Sequence, residues 1–324
     1  MPFHFLYRNV EVDNPYRPDN YKDYQSRTNR YQLRYKGRDT AQEDDTVWRT
    51  IKAAYYGNIS LIDYSIGRIL DALGPERDNT LIVFTTDHGE MMGDYGCAGK
   101  RCMLEASIRL PFIASWAGNI PAGQICDTPI SLLDFYKTFT EAAGLETESR
   151  SDETANIVDI ANQPSGAGER RVFSQFSHGW CGQYGVSDGQ WKYMYSAPDQ
   201  KEWLFELKDE IIEGENRVED PAAASHKERL KNALLERHDP SRDPWSNAVA
   251  EGDWIQHETP PENWHDDLTY GILNQDHGPK ELQALLDENY PEYSKPIINL
   301  QRGSLHKDHG VQGGKAPFSE PWNA

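Results

Sequence analysis

The stretch Thr80–Glu90, TLIVFTTDHGE, runs an uninterrupted apolar strand straight into an acid and an imidazole. Residues Thr80 to Thr86 are apolar on both faces, the pattern of an inner strand of a parallel sheet covered by helices. In open α/β sheets ligands gather where strands end and their carboxyl-terminal loops begin, so Asp87 and His88 stand where chemistry concentrates. A hard carboxylate oxygen beside an imidazole nitrogen can hold a divalent cation. Gly89 lets the backbone bend while both side chains turn toward that cation. The competing reading is an Asp and a His that cap a loop through local hydrogen bonds; position at a strand end favours the metal.

Outward from this turn, the spacing of apolar residues from Val47 to Leu73 is mostly three or four, one face of a helix, and Gly74-Pro75 ends it. Asp78 and Asn79 then turn the chain into the strand. Leu110–Trp116 reads as a second strand. Thr128 caps a predicted helix with Pro129 at its first position, and Gly144 closes it. From about residue 146 the chain turns polar and glycine-bearing. Short strands are predicted at Arg171–Phe176, Trp191–Tyr195 and Trp203–Leu207, followed by a helix at Ala222–Arg237, which suggests a small antiparallel sheet packed by one helix. Beyond His238 the sequence reads as an extended wrap with one helix at Pro279–Glu288.

Between the two apolar strands lies MMGDYGCAGKRCMLEASIRLPFIASW, residues 91–116. Together with the turn before it, this segment resembles the sulfatase family of the alkaline phosphatase superfamily. That family carries a DHGE or DHGD turn, a glycine-rich loop, a lysine, then a glutamate leading into an S-x-R-x-P strand. The matching residues here are Asp87 to Glu90, Gly93, Gly96, Lys100, Glu105, Ser107, Arg109 and Pro111. The helix at Ala53–Leu73, the helix at Ile130–Leu145 and the segment WLFELKDEIIEGENR at Trp203–Arg217 resemble further family elements, so the similarity runs over roughly residues 10–238.

The resemblance implies an α/β fold: a mostly parallel, alkaline-phosphatase-like sheet with helices over residues 1–150, the second half of a sulfatase catalytic domain. A smaller antiparallel-sheet subdomain with a helix is expected over 151–240, and a partly irregular tail over 241–324. It implies hydrolysis of sulfuric esters, with Asp87 and His88 as metal ligands and Lys100 contacting the sulfate and the leaving oxygen. Calcium or magnesium is the usual cofactor, and His88 tilts the site toward manganese or zinc. The substrate would be a sulfated small molecule or glycan. A phosphomonoester or phosphonate hydrolase of the same superfamily shares the Asp-His turn and is the alternative chemistry.

Two family features are missing. The nucleophile is a formylglycine made from the Cys or Ser of a C-x-P-x-R or S-x-P-x-R segment, and none of Cys97, Cys102, Cys126 and Cys181 stands in one. The family's two successive aspartates near the amino terminus, which complete the metal site, are not matched here either. In DNPYRPDNY, Asp13 falls near the position of a family histidine that contacts the sulfate. The chain alone is therefore expected not to turn over. A non-catalytic remnant, or one half of a split enzyme that joins another chain through an incomplete sheet edge, is the competing class. His178 in SHGWCGQYG is a further candidate for substrate contact, with core packing of that aromatic loop as the alternative. His306 and His309 are a possible metal pair, more in keeping with an exposed polar loop.

A formal charge of -19 excludes nucleic acid as the expected partner, because phosphate binding needs clustered Lys and Arg. The same field slows an anionic substrate unless local cations reverse it; Lys100 is the obvious one, while Arg101 and Arg109 read as structural. No apolar run approaches the roughly 20 residues of a membrane span. Four cysteines without a C-x-x-C pair point to reduced thiols. The opening residues lack a signal peptide, so the chain as written reads as cytoplasmic, and as periplasmic or extracellular if a leader precedes it.

Overall fold

The computed structural model describes residues 3–29, 45–146, 153–163, 170–177, 182–207, 212–242 and 248–256. The predicted helix at Pro279–Glu288, His306 and His309, and the loop bearing His178, Trp180 and Cys181 lie outside the described residues.

The long helix α1 spans Asp45–Leu73. It stops where expected, because Gly74 takes φ +51 and Pro75 supplies no amide. The chain continues as a tight 3-10 turn over Gly74–Asn79, closed by the Thr80 hydroxyl donating to the Glu76 carbonyl at 2.7 Å. The apolar stripe of α1 is largely uncovered: only Trp48 and Gly57 are buried, and Ile59, Ile62 and Ile69 face outward. The amino-terminal turn lays Phe3 against Tyr64 and Tyr7 against Tyr56, each pair 5.6 Å between ring centroids.

Strand β1, Ile82–Thr85, pairs with β2, Phe112–Ser115, and the pairing corrects the expected parallel sheet. The two strands are antiparallel, with Ile82 opposite Ser115 and Thr85 opposite Phe112. The intervening segment is a loop and the short helix α2, Glu105–Ile108, rather than a helical crossover, so the chain re-enters at the end where it left. Among the described residues this sheet has only these two strands, and β1 is half-buried along its length rather than enclosed.

Helix α3 begins at Asp134 and ends at Ala142, later than the start expected at Thr128-Pro129. Asp134 sets the start. Its buried carboxylate accepts from the Ser131 amide at 2.7 Å and from the Ala155 amide at 2.9 Å, and it pairs with Arg170. The carbonyl of Pro129 is taken by Arg170 instead of opening a helix. Gly144, at φ +71, closes α3 as read from the sequence. Helix α4, Ile157–Asn162, follows, with the Asn156 side chain accepting from the Val158 amide at its start.

The remaining strands form an antiparallel meander: β3 Val172–Phe176, β4 Gln183–Ser187, β5 Trp191–Ser196 and β6 Lys201–Glu206. Strand β4 escapes prediction because Gly185 breaks its apolar pattern. That glycine admits Met103, whose side chain lies 3.4 Å from where a Cβ would stand. Alternation then divides the sheet into two faces. Tyr184, Val186, Tyr193, Tyr195 and Leu204 pack on Leu230 and Leu234 of α5, Ala224–Arg237. This helix follows a short turn in which Asp220 caps Ala222, so it begins two residues after the expected start. A small hairpin, β7 Val249–Ala250 and β8 Asp253–Trp254, closes the same core, with Trp254 stacked 4.2 Å from Tyr195. The opposite face, with Met194, Trp203 and Phe205, shares a core with Met91, Tyr95, Cys97, Met103 and Leu104 of the loop that follows β1.

Candidate functional site

Where β1 ends, Asp87 and His88 turn to the same side. His88 Nδ1 lies 2.9 Å from the Gly89 carbonyl, which can only accept, so that nitrogen carries the ring proton. Nε2 lies 3.3 Å from Asp87 Oδ2, close enough for a proton or a cation between them to join the pair. The Asp87 side chain is 83% exposed and reaches the solvent side of the pair. Gly89 is fixed by backbone approach: its amide donates to the Ser107 carbonyl at 2.8 Å, and a Cβ would fall 2.0 Å from the Ala106 oxygen.

The loop beyond folds back on itself. The Met91 amide donates to the Gly99 carbonyl and the Gly93 amide to the Cys97 carbonyl, both at 2.8 Å, while Glu90 accepts from the Gly99 amide. Left-handed backbone at Met92, Gly93, Tyr95, Gly96, Gly99 and Arg101 makes the doubling possible. Its tip is buried beneath Tyr16, which meets the Tyr95 ring edge-on at 5.4 Å, and Tyr24, tilted against it at 5.1 Å. The result delivers Lys100 to a cavity of about 860 Å³ whose walls also include Asp87, His88, Arg101, Arg109 and Gln175. Asp87, His88 and Lys100, separate in the sequence, thus line one space. The Arg101 guanidinium lies over the Phe176 ring at 5.6 Å, and Arg109 is exposed at the rim. Asp13 lies elsewhere, in a second groove between the amino-terminal segment and α1. His178 is outside the described residues.

The donor set for a metal is partial. Asp87 and His88 give one carboxylate and one imidazole, and among the described residues no group of three or more His, Cys, Asp or Glu converges as a metal site would require. The pair suits one corner of a coordination sphere and does not complete it.

A buried charge cluster under the loop was not foreseen. Lys192 on β5 is fully buried, and its ammonium donates to the Met103 carbonyl at 3.0 Å, to Glu105 at 2.9 Å and to Glu213. Glu213 also accepts from the Glu105 amide and, at 3.2 Å, from the Tyr95 hydroxyl. Burial pulls the Lys192 pKa down, yet Glu213 and Glu105 together hold it above the ordinary lysine value. The available signal was a lysine among aromatic residues in WKYMYS, where alternation places it on an enclosed face.

Two family models match this architecture. One, described as Sulfatase, matches residues 12–145; the other, described as N-sulphoglucosamine sulphohydrolase, C-terminal, matches residues 93–239. The chain belongs to the sulfatase family. It is 31% identical over 177 residues to a choline-sulfatase of Rhizobium meliloti (strain 1021), covering 53% of this chain and 34% of that protein. It is 33% identical over 202 residues to the multifunctional alkaline phosphatase superfamily protein PehA of Trinickia caryophylli, covering 56% and 39%. This sulfatase-family chain therefore spans little more than a third of the length of the curated relatives it matches. Its fold is similar to that of phosphonate monoester hydrolase SpPMH from Silicibacter pomeroyi, with a TM-score of 0.62 and 21% identity over 80% of this chain and 57% of that one. It also resembles BT4656 in complex with its substrate D-glucosamine-2-N,6-O-disulfate, with a TM-score of 0.57 and 24% identity over 68% and 47%. These likenesses establish an α/β sulfatase-like fold.

Proposed function

We propose that this chain carries one side of a metal-dependent site for sulfuric ester hydrolysis. The convergence of Asp87, His88 and Lys100 on one cavity carries the proposal. Asp87 and His88 would hold a divalent metal, calcium or magnesium or, given the imidazole, manganese or zinc. The metal would supply Lewis-acid polarisation of the ester. Lys100 would hold the sulfate and offset charge on the leaving oxygen. Arg101 and Arg109 add local positive charge within an overall field of -19, which favours approach of an anion at this point. The substrate class is a sulfated small molecule or glycan, in keeping with relatives named choline-sulfatase and arylsulfatase.

The nucleophile and the remaining metal ligands would come from a polypeptide segment that this sequence does not contain. Sheet edges left unpaired among the described residues and the uncovered stripe of α1 support such a partner. With the chain alone, 4-nitrophenyl sulfate should not be hydrolysed, and calorimetric titration with manganese should show weak binding that Asp87→Ala weakens further. Adding a sulfatase front half that carries the C-x-P-x-R segment should bring turnover, and Lys100→Ala should lower it by about 10²-fold. Tight metal binding by the chain alone would overturn the half-built site. Preferential turnover of a phosphonate monoester would favour the second chemistry.

A further inference from the structure

We infer that Lys192 is a positioning residue that sets the place of Lys100 in the cavity through the underside of its loop. The inference rests on the reading of Lys100 as the sulfate-contacting cation. Alternation along β5 sends Tyr193 and Tyr195 toward α5 and Lys192 toward the loop. All three ammonium protons are used, on the Met103 carbonyl, Glu105 and Glu213. The contacts to Met103 and Glu105 fall three and five residues beyond Lys100. On β4, Gln183 Nε2 donates to the Arg101 carbonyl at 3.1 Å, and Gly185 receives the Met103 side chain. On its other side Lys100 follows Gly99, which is tied to both Glu90 and Met91. Lys100 is thus held between two tethers, and one of them is anchored in the carboxyl-terminal sheet.

A fully buried ammonium facing two carboxylates is an expensive way merely to fill space, since apolar side chains pack such volumes as well or better. Its distinguishing property is direction. Three hydrogen bonds at fixed angles define where the 101–105 backbone lies, which an apolar contact does not. The cluster carries one positive and two negative charges, so loss of Lys192 would also leave Glu105 and Glu213 facing each other.

The test is amide hydrogen exchange on Lys192→Met, together with protection of Lys100 from acetylation by inorganic sulfate. Exchange should accelerate at least tenfold at Met91, Gly99 and Glu105, while Val186, Tyr193 and Leu204 stay as in the parent. Sulfate should protect Lys100 in the parent and not in the variant. Uniform acceleration, or none at Gly99 and Glu105, would overturn the inference, because a purely stabilising lysine gives the first and an irrelevant one the second. If exchange behaves as expected but sulfate fails to protect Lys100 even in the parent, the sulfate reading falls and the positioning role stands. The double variant Lys192→Met with Glu213→Gln removes the ammonium while leaving the net charge of the cluster unchanged, and serves if the single variant does not fold. Loop amides should remain open in it. Restored protection would show that carboxylate repulsion, not loss of the anchor, had moved the loop.

Discussion

At the scale of single residues, the site is written around Gly89 as much as around its polar neighbours. A side chain there would have to occupy the space of the Ala106 carbonyl, 2.0 Å away, and no rotamer relieves a clash with backbone. Gly89→Ala should cost about 1–3 kcal/mol in urea unfolding and push the Asp87–His88 turn off the Ser107 carbonyl. Crystal coordinates of a variant with the turn unmoved would contradict this. That Asp87, His88 and Lys100 share one cavity was legible because the cues are local: a strand end, a turn and a loop lysine at family spacing. Lys192, Glu105 and Glu213 were not, since their roles exist only across separations of 87 and 21 residues. The same holds for Asp134, whose pairing with Arg170 moves a helix start that Thr128 and Pro129 advertise.

At the scale of elements, β5 carries the densest set of perturbed groups. Burial, reinforced by Glu202, raises the Tyr193 hydroxyl and pushes Tyr195 up to about 12. Burial and Glu213 raise Tyr95, and Lys192 is raised as well. For all four the folded chain keeps a proton that the unfolded chain releases near the ordinary values of 10.0 for tyrosine and 10.5 for lysine. Stability is therefore fully present below about pH 10 and falls as pH rises through the folded values, by roughly 1.4 kcal/mol per pH unit for each such group. Urea midpoints measured from pH 8 to 11 should be level and then drop; a midpoint that rises above pH 10 would refute the assignment. Helices α1, α3 and α5 and three of the meander strands were legible from period and punctuation, whereas the short α2 and α4 were not. The direction of β2 was not, because an apolar run fixes burial and says nothing of strand sense.

At the scale of the whole molecule, two kinds of surface meet. The carboxyl-terminal sheet has both faces filled, by α5 with the hairpin and by the loop after β1. The amino-terminal part instead exposes Ile59, Ile62 and Ile69 of α1, Tyr136 and Phe139 of α3, and Ile113 of β2, 63% accessible. Scattered apolar side chains are ordinary; we propose that these, with the strand edges left unpaired among the described residues, form a face that associates. Light scattering of the isolated chain should show oligomers or aggregates in spite of a charge of -19, with salt increasing them as repulsion is screened. A monodisperse monomer with one cooperative melt would contradict it.

The shared core between the loop of Lys100 and the back of the meander bears on how the protein could be dissected. Tyr95, Met103 and Leu104 find their burial against Met194, Trp203 and Phe205, nearly a hundred positions later. A truncation near residue 150, where composition suggests a boundary, would cut through the floor of the site and not between two modules. Swapping the meander for that of a relative would transplant the bed on which the loop is moulded, and with it the stance of the lysine above.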